Sequence, residues 1–208
     1  IYFVINTSMD SKQNEEQKYL LYNDTVELVF DDASHSYSVD GKLVDGTTHI
    51  LGIIAKPALV PWAVKMTIAH FEKNLKPGVI YDEIEIKNLL EDAKGAHKRR
   101  SGDAMSVGTW VHGWIASHIA GIISPMPTNR LMQNAINAFL KWEKDHKVRF
   151  LESERLVYSK KYKYAGTLDF ISHVDGKIKI GDFKTSTGIY DEHYLQIAAY
   201  QQAYLEEF

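Results

Sequence analysis

The 208-residue chain contains no cysteine, which excludes a disulfide framework and any thiolate zinc site and suits a reducing compartment. It lacks a run of about 18 apolar residues, so no helical membrane span is expected. The opening IYFVI is too short for a secretory signal and has no basic flank, so the expected protein is soluble and cytoplasmic. No HExxH pair occurs, which leaves a zinc peptidase without support. Charge of one sign is also missing: 24 Lys and Arg against 27 Asp and Glu give a net −3. That balance argues against a generally basic polyanion binder, although a site that grips phosphate needs positive potential only locally.

What is present is ordinary for a globular chain, with 45% hydrophobic and 25% charged residues. One domain over 1–208 is expected, with a meander and helical region over 24–125 and a core over 126–208. Twelve Tyr and four Trp exceed what a core strictly needs, and exposed ones can stack single-stranded bases.

The most informative stretch runs from Glu154 to Tyr200. Residues 164–174 (YAGTLDFISHV) and 177–184 (KIKIGDFK) read as strands around Asp175-Gly176, a pair that favours a two-residue type I′ turn. Asp169 lies five residues before Val174 and Asp182 five after Lys177. The turn thus sets the two acids at similar depth, Asp169 beside Gly181 or Asp182, where their carboxylates can converge on one cation. Lys184 shares the face of Asp182, because side chains repeat every two residues along a strand. Two carboxylates and an ammonium suit a divalent cation and a phosphate. Mg²⁺ takes hard oxygen ligands, often only one or two protein carboxylates, and it activates water and neutralises phosphoryl oxygens. Taken alone, the D-x-K triplet reads more simply as a surface hairpin with an Asp–Lys pair of small energetic value.

Asp169 and Asp182-Phe-Lys184 stand in company with Gln196 and Tyr200 of QIAAY and with His112 of GTWVHGW. In that combination the chain resembles the PD-(D/E)xK nuclease superfamily, and within it the RecB-like exonuclease branch that includes the CRISPR-adaptation nucleases and the mitochondrial genome maintenance exonuclease. The matching motifs lie between Gly108 and Tyr204, about half of the chain, and the order and spacing of five elements carry the specificity. The resemblance implies Mg²⁺ or Mn²⁺ held by Asp169, Asp182, His112 and the carbonyl of Phe183. It also implies a Lys184 that positions or activates the attacking water, and a Q-x-x-x-Y helix motif, Gln196 and Tyr200, that flanks the site and helps to hold DNA. Asp182 stands where many members carry Glu, a change the branch tolerates. The implied fold is a restriction-endonuclease-like α/β core: a mixed central sheet flanked by helices, preceded by an N-terminal β-meander and a helical arch. KPALVPWA further resembles the N-terminal part of phage-encoded nucleases of the superfamily.

The remaining stretches supply scaffolding and candidate contacts. Residues 1–23 read as a loop or a short helix start, and 25–44 as an antiparallel meander with a second Asp-Gly turn. Pro61 opens a helix whose apolar stripe includes Trp62, Val64, Met66, Ile68 and Phe71. A second helical segment starts at Tyr81, with a break expected at Gly95 or Ser101-Gly102. Lys98, Arg99 and Arg100, with Lys94 and His97, form the densest positive patch, a candidate phosphate contact or a solvated helix face. His112 sits among apolar helix positions, as a buried structural imidazole would; His118 is expected on a different face. Thr128 is a candidate N-cap of a third long helix, with apolar positions at Leu131, Ala135, Ala138, Phe139 and Trp142. In the strand over 148–159, Glu152 and Glu154 should share one face. That makes Glu154 a candidate third carboxylate if its strand adjoins that of Asp169. Arg155 or Lys160 to Lys163 are candidates to meet phosphates at the sheet edge, or merely to solvate it. Phe208 falls inside the last helical stretch, where relatives usually continue with a further strand and helix, so a truncated sheet edge is expected.

The expected activity is metal-dependent phosphodiester hydrolysis in DNA, by an exonuclease acting on single-stranded ends. The alternatives are a structure-dependent or nicking endonuclease of the same fold and a catalytically silent DNA-binding module.

Overall fold

A computed structural model describes residues 16–54, 56–186 and 188–208. The elements run β1 (Glu16–Leu21), β2 (Val26–Asp31), β3 (Ser36–Val39), β4 (Lys42–Gly46), α1 (Thr47–Leu51), α2 (Leu59–Asn74), α3 (Glu83–Ile119), α4 (Arg130–Asp145), β5 (Arg149–Ser159), β6 (Tyr164–Val174), β7 (Lys177–Gly181) and α5 (Asp191–Glu207). The architecture is mixed α/β, with a seven-stranded mixed sheet in the order β1-β2-β3-β4-β6-β5 and β7 paired to β6. The chain divides into two compact units, each assembled from stretches distant in sequence.

The first unit draws on Ile1–Leu51, Glu154–Leu168 and Glu192–Phe208. Its meander follows from alternation: Val26, Leu28 and Phe30 on β2 and Tyr37 and Val39 on β3 turn inward, while the residues between them face outward or lie half-buried. Asp40 and Gly41, both at positive φ, make the two-residue turn that joins β3 to β4, as their sequence implies. Leu21, Leu156, Tyr158 and Ala165 complete the core, in which a fully buried side chain such as Leu28 or Leu156 contributes about 1.5–3 kcal/mol. β4 then runs parallel to β6, with Gly46 opposite Ala165. Residues 16–21 are a strand rather than a loop or helix start, because β1 finds its partner in β2 and buries Leu21 there. Residues 1–15 of that expectation lie outside the described residues.

The second unit comprises Gly52–Ser153 and Asp169–Asp191. α2 begins two residues before Pro61, which still falls in its first turn, where a missing N–H costs nothing. Its apolar stripe is not a core face: Trp62, Met66 and Phe71 are half-buried, while Val64 and Ile68 are exposed. α3 runs unbroken for 37 residues through both glycine positions where an interruption was expected. Its start is fixed by a capping box, in which Asp82 accepts from the Glu85 amide at 2.8 Å and the Glu85 carboxylate accepts from the Asp82 amide at 2.9 Å. At Gly95 the Arg99 guanidinium lies across the bare Cα and donates to the Asp92 carbonyl, so side-chain packing occupies the glycine's place. α4 is capped by Asn129, not Thr128; its Oδ1 accepts from the amides of Leu131 and Met132. Ile136 and Phe139 are the buried residues of α4, whereas Leu131 and Ala138 face solvent. As expected, this helix packs on strands, with Phe139 6.1 Å from Phe150 and Trp142 5.7 Å from Phe170 between ring centroids.

Among the described residues, no helix is long and apolar enough to cross a membrane. On β6 the Ser172 hydroxyl is fully buried and has no hydrogen-bond partner. A buried unsatisfied hydroxyl costs about 1–3 kcal/mol, so Ser172→Ala should raise the urea midpoint at unchanged m-value. A lower midpoint would show that the hydroxyl stabilises the fold.

Candidate active site

The hairpin of β6 and β7 sets the geometry. Asp175 and Gly176 sit at φ +50° and +78°, the backbone of a type I′ turn. The pairing runs from Val174 opposite Lys177 to Phe170 opposite Gly181. One further step brings Asp169 opposite Asp182. Both ends of the turn's first residue are tied to the C-terminus of α4: the Asp175 carboxylate to His146 Nδ1 at 2.8 Å, and the Asp175 amide to the His146 carbonyl at 3.1 Å.

β7 ends at Gly181, three residues short of the strand expected from composition. The reason lies in the site: the Phe183 amide donates to the Asp169 carboxylate rather than extending the ladder. The Phe183 ring joins an aromatic cluster, 4.7 Å from Phe170 and 5.4 Å from Phe139. Backbone and ring of Phe183 thus both anchor the D-x-K segment.

Both acids are shielded, with side-chain exposures of 11% for Asp169 and 7% for Asp182. The Lys184 ammonium forms an ion pair with Asp182 Oδ2, so the two are on one side of the segment. His112 Nδ1 stands 3.5 Å from Asp169 Oδ2, and its ring meets Phe183 edge-on. Burial pushes the Asp182 carboxyl above its ordinary pKa, and the Asp169 charge pushes it further; Lys184 and then His112 pull it back only in part. Burial, more than charge imbalance, is what holds the Asp182 carboxyl up.

His112 is positioned by α3, whose Val111 and Ile115 are buried with Phe139 in one cluster. Four residues earlier, and so on the same helix face, Gly108 lets the helix approach the segment after Lys184: a Cβ there would lie 2.9 Å from Thr185 Oγ1. Gly108 and Thr185 were not singled out from sequence, although a glycine one turn before the candidate histidine was the available signal. His118 does lie elsewhere, bonded to Glu143 at 3.0 Å and stacked on Trp114.

Gln196 and Tyr200 belong to the first unit. The Gln196 amide donates to the Tyr200 hydroxyl at 2.8 Å, both buried, and the Tyr200 ring covers Gly166, where a Cβ would stand 2.4 Å from Cε1. The glycine that opens the GTLD segment is thus explained by ring packing. Glu154, also of the first unit, is exposed at φ +50°. β5 does neighbour β6, but the left-handed backbone at Glu154 breaks the alternation, leaving Glu152 half-buried and Glu154 exposed rather than sharing a face. The Glu154 charge acts on Tyr37, whose hydroxyl pKa is raised first by burial and, to a smaller degree, by that carboxylate. Lys98, Arg99 and Arg100 are exposed on α3, with Arg99 folded along its own helix.

Among the described residues, no group of three or more His, Asp or Glu is drawn together into a ligand cage. The donor chemistry nonetheless fits a hard divalent cation: two shielded carboxylates repel each other across a strand pair, and an imidazole lies beside one of them. No family model matches the chain, and no curated protein matches it.

Proposed function

We propose that the chain is a metal-dependent DNA nuclease with a restriction-endonuclease-like core, acting as an exonuclease on single-stranded ends. The observation that carries this reading is the shielded pair Asp169 and Asp182, set opposite each other by a two-residue turn, with the Lys184 ammonium on Asp182. A structural ion pair needs one carboxylate. A second one, close enough to raise the pKa of the first, costs stability and suits a cation-binding task.

Bound there, Mg²⁺ or Mn²⁺ would supply polarisation of a phosphoryl oxygen and activation of water. Asp169 and Asp182, with His112 beside Asp169, would hold such an ion, and the Phe183 amide fixes the Asp169 carboxylate. The carbonyl of Phe183 would be a further ligand. Lys184, paired with Asp182, would orient the attacking water and offset charge developing on the phosphate. The preference for single strands rests on the aromatic supply and on the resemblance to RecB-like exonucleases. Lys98, Arg99 and Arg100, exposed on α3, are the proposed DNA contacts.

The test is digestion of end-labelled linear and circular DNA, single- and double-stranded, in Mg²⁺, Mn²⁺ or EDTA, alongside Lys184→Ala. Linear single strands should be degraded with either metal and survive in EDTA, circles should stay intact, and Lys184→Ala should slow the reaction by about 10²–10³-fold. Cleavage of circles would convert the assignment to an endonuclease. Survival of every substrate in both metals would end it.

A further inference from the structure

We propose that the turn joining β5 to β6, residues 160–163, is a separate contact surface for single-stranded DNA, with Tyr162 as a stacking platform and Lys160, Lys161 and Lys163 as phosphate contacts. The identity of the strand rests on the nuclease reading; the surface itself rests on the turn. Tyr162 is 56% exposed and lies 6.4 Å from the near-parallel ring of Tyr164. Lysines flank it on both sides in sequence, and all three are exposed.

The turn is held rigid. The amides of Lys160, Lys161, Tyr162 and Lys163 donate to the Tyr22 hydroxyl, Glu206 Oε2, Ser159 Oγ and the Ser159 carbonyl. The buried Ser159 hydroxyl in turn donates to the Glu206 carboxylate at 2.9 Å. The Lys160 ammonium sits 3.9 Å above the Tyr22 ring and the Lys161 ammonium 4.9 Å from the Tyr162 ring. The half-exposed Tyr162 ring is thereby carried on a fixed backbone, beside the Lys161 ammonium and the Tyr164 ring.

A ring carried on a fixed backbone loses less entropy on binding than one on a loose loop, and stacking on aromatics is sequence-tolerant because every base has a π-face. Three lysines outnumber the one carboxylate beside them that is not paired to an arginine: Glu206 keeps its charge while bonded to the turn, and Glu207 pairs with Arg155 at 2.8 Å. The turn is therefore locally positive in a chain of net charge −3, as a phosphate contact requires.

The test is fluorescence anisotropy of the full chain with a labelled oligo-dT strand in EDTA, across a salt series, each variant first checked for a wild-type thermal melt. Tyr162→Ala should weaken binding roughly tenfold, Tyr162→Phe should retain it, and a duplex should be indifferent to both. Replacing Lys160, Lys161 and Lys163 together by Gln should flatten the slope of log affinity against log salt by about 2, at about 0.7 for each lost phosphate contact. Wild-type affinity and slope in the Tyr162→Ala and triple-Gln variants, or no binding of the strand by the wild type, would overturn the proposal. The expected pattern in a chain that cleaves no DNA would keep the contact surface and remove the nuclease; cleavage with unchanged binding would do the reverse.

Discussion

Asp182→Asn should sharply slow the proposed DNA cleavage and, in EDTA at neutral pH, make the protein more stable. The substitution keeps the shape and an acceptor for Lys184 but removes one of two like charges that the hairpin holds in a shielded place. Loss of the charge should lower the cleavage rate by about 10²–10⁴-fold, the range for a positioned acid–base or electrostatic group. Removal of the repulsion should raise Tm in EDTA; for a chain of this length, about 2–4 °C corresponds to 1 kcal/mol. Mg²⁺ or Mn²⁺ should raise the Tm of the wild type by mass action and leave the variant unmoved. A variant that melts below wild type in EDTA would show that Asp182 is chiefly a structural partner of Lys184.

The pH dependence has a definite sign. In the folded chain the Asp182 pKa lies above its ordinary 3.8, so the fold favours the protonated acid. The resulting stability is complete below pH 3.8 and is lost as pH rises through the folded pKa. The stability advantage of Asp182→Asn should therefore be largest at neutral pH and shrink on acidification toward 3.8. Metal-induced stabilisation should run the opposite way, growing with pH because a ligand carboxylate must be ionised.

The second large effect is expected at Gly181→Ala. An added Cβ would lie 1.9 Å from Cζ of Phe170 and 2.4 Å from both Cε atoms. That ring has no room to retreat: it is 5.6 Å from Phe150, 5.7 Å from Trp142 and 4.7 Å from Phe183. Overpacking of this kind costs about 1–3 kcal/mol, and here it also displaces the residue next to Asp182, so activity should fall together with the denaturation midpoint. Introducing the alanine beside Phe170→Leu should cost less than in the wild type, with a coupling of about 0.5–3 kcal/mol for residues in contact. Equal costs in the two backgrounds would remove the ring–glycine contact as the cause.

The hairpin was readable before any coordinates because its determinants are local. Asp-Gly fixes the turn, the turn fixes the pairing, and the pairing places Asp169 opposite Asp182. Features decided by distant partners were not readable. Nothing within EQKYLL announces β1, which exists through its pairing with β2. The strand ended at Gly181, not Lys184, because a carboxylate from the other strand captured the Phe183 amide. Gly95 did not break α3, since Arg99 packs over it. Glu154 adopts a backbone that a period-two reading cannot foresee, and the close approach of Gly108 to Thr185 joins segments far apart in the chain.

The type I′ turn at Asp175-Gly176 has an implication for how such a chain can change. It stores the spacing of the acids at the end of the hairpin remote from them, clamped to α4 through His146. Inserting or deleting a single codon there would invert every side chain of β7 and slide it by about 3.4 Å, presenting Gly181 or Phe183 where Asp182 now stands. Loop-length drift, usually the most permissive kind of variation, would be as damaging at this tip as a substitution among the charged residues themselves.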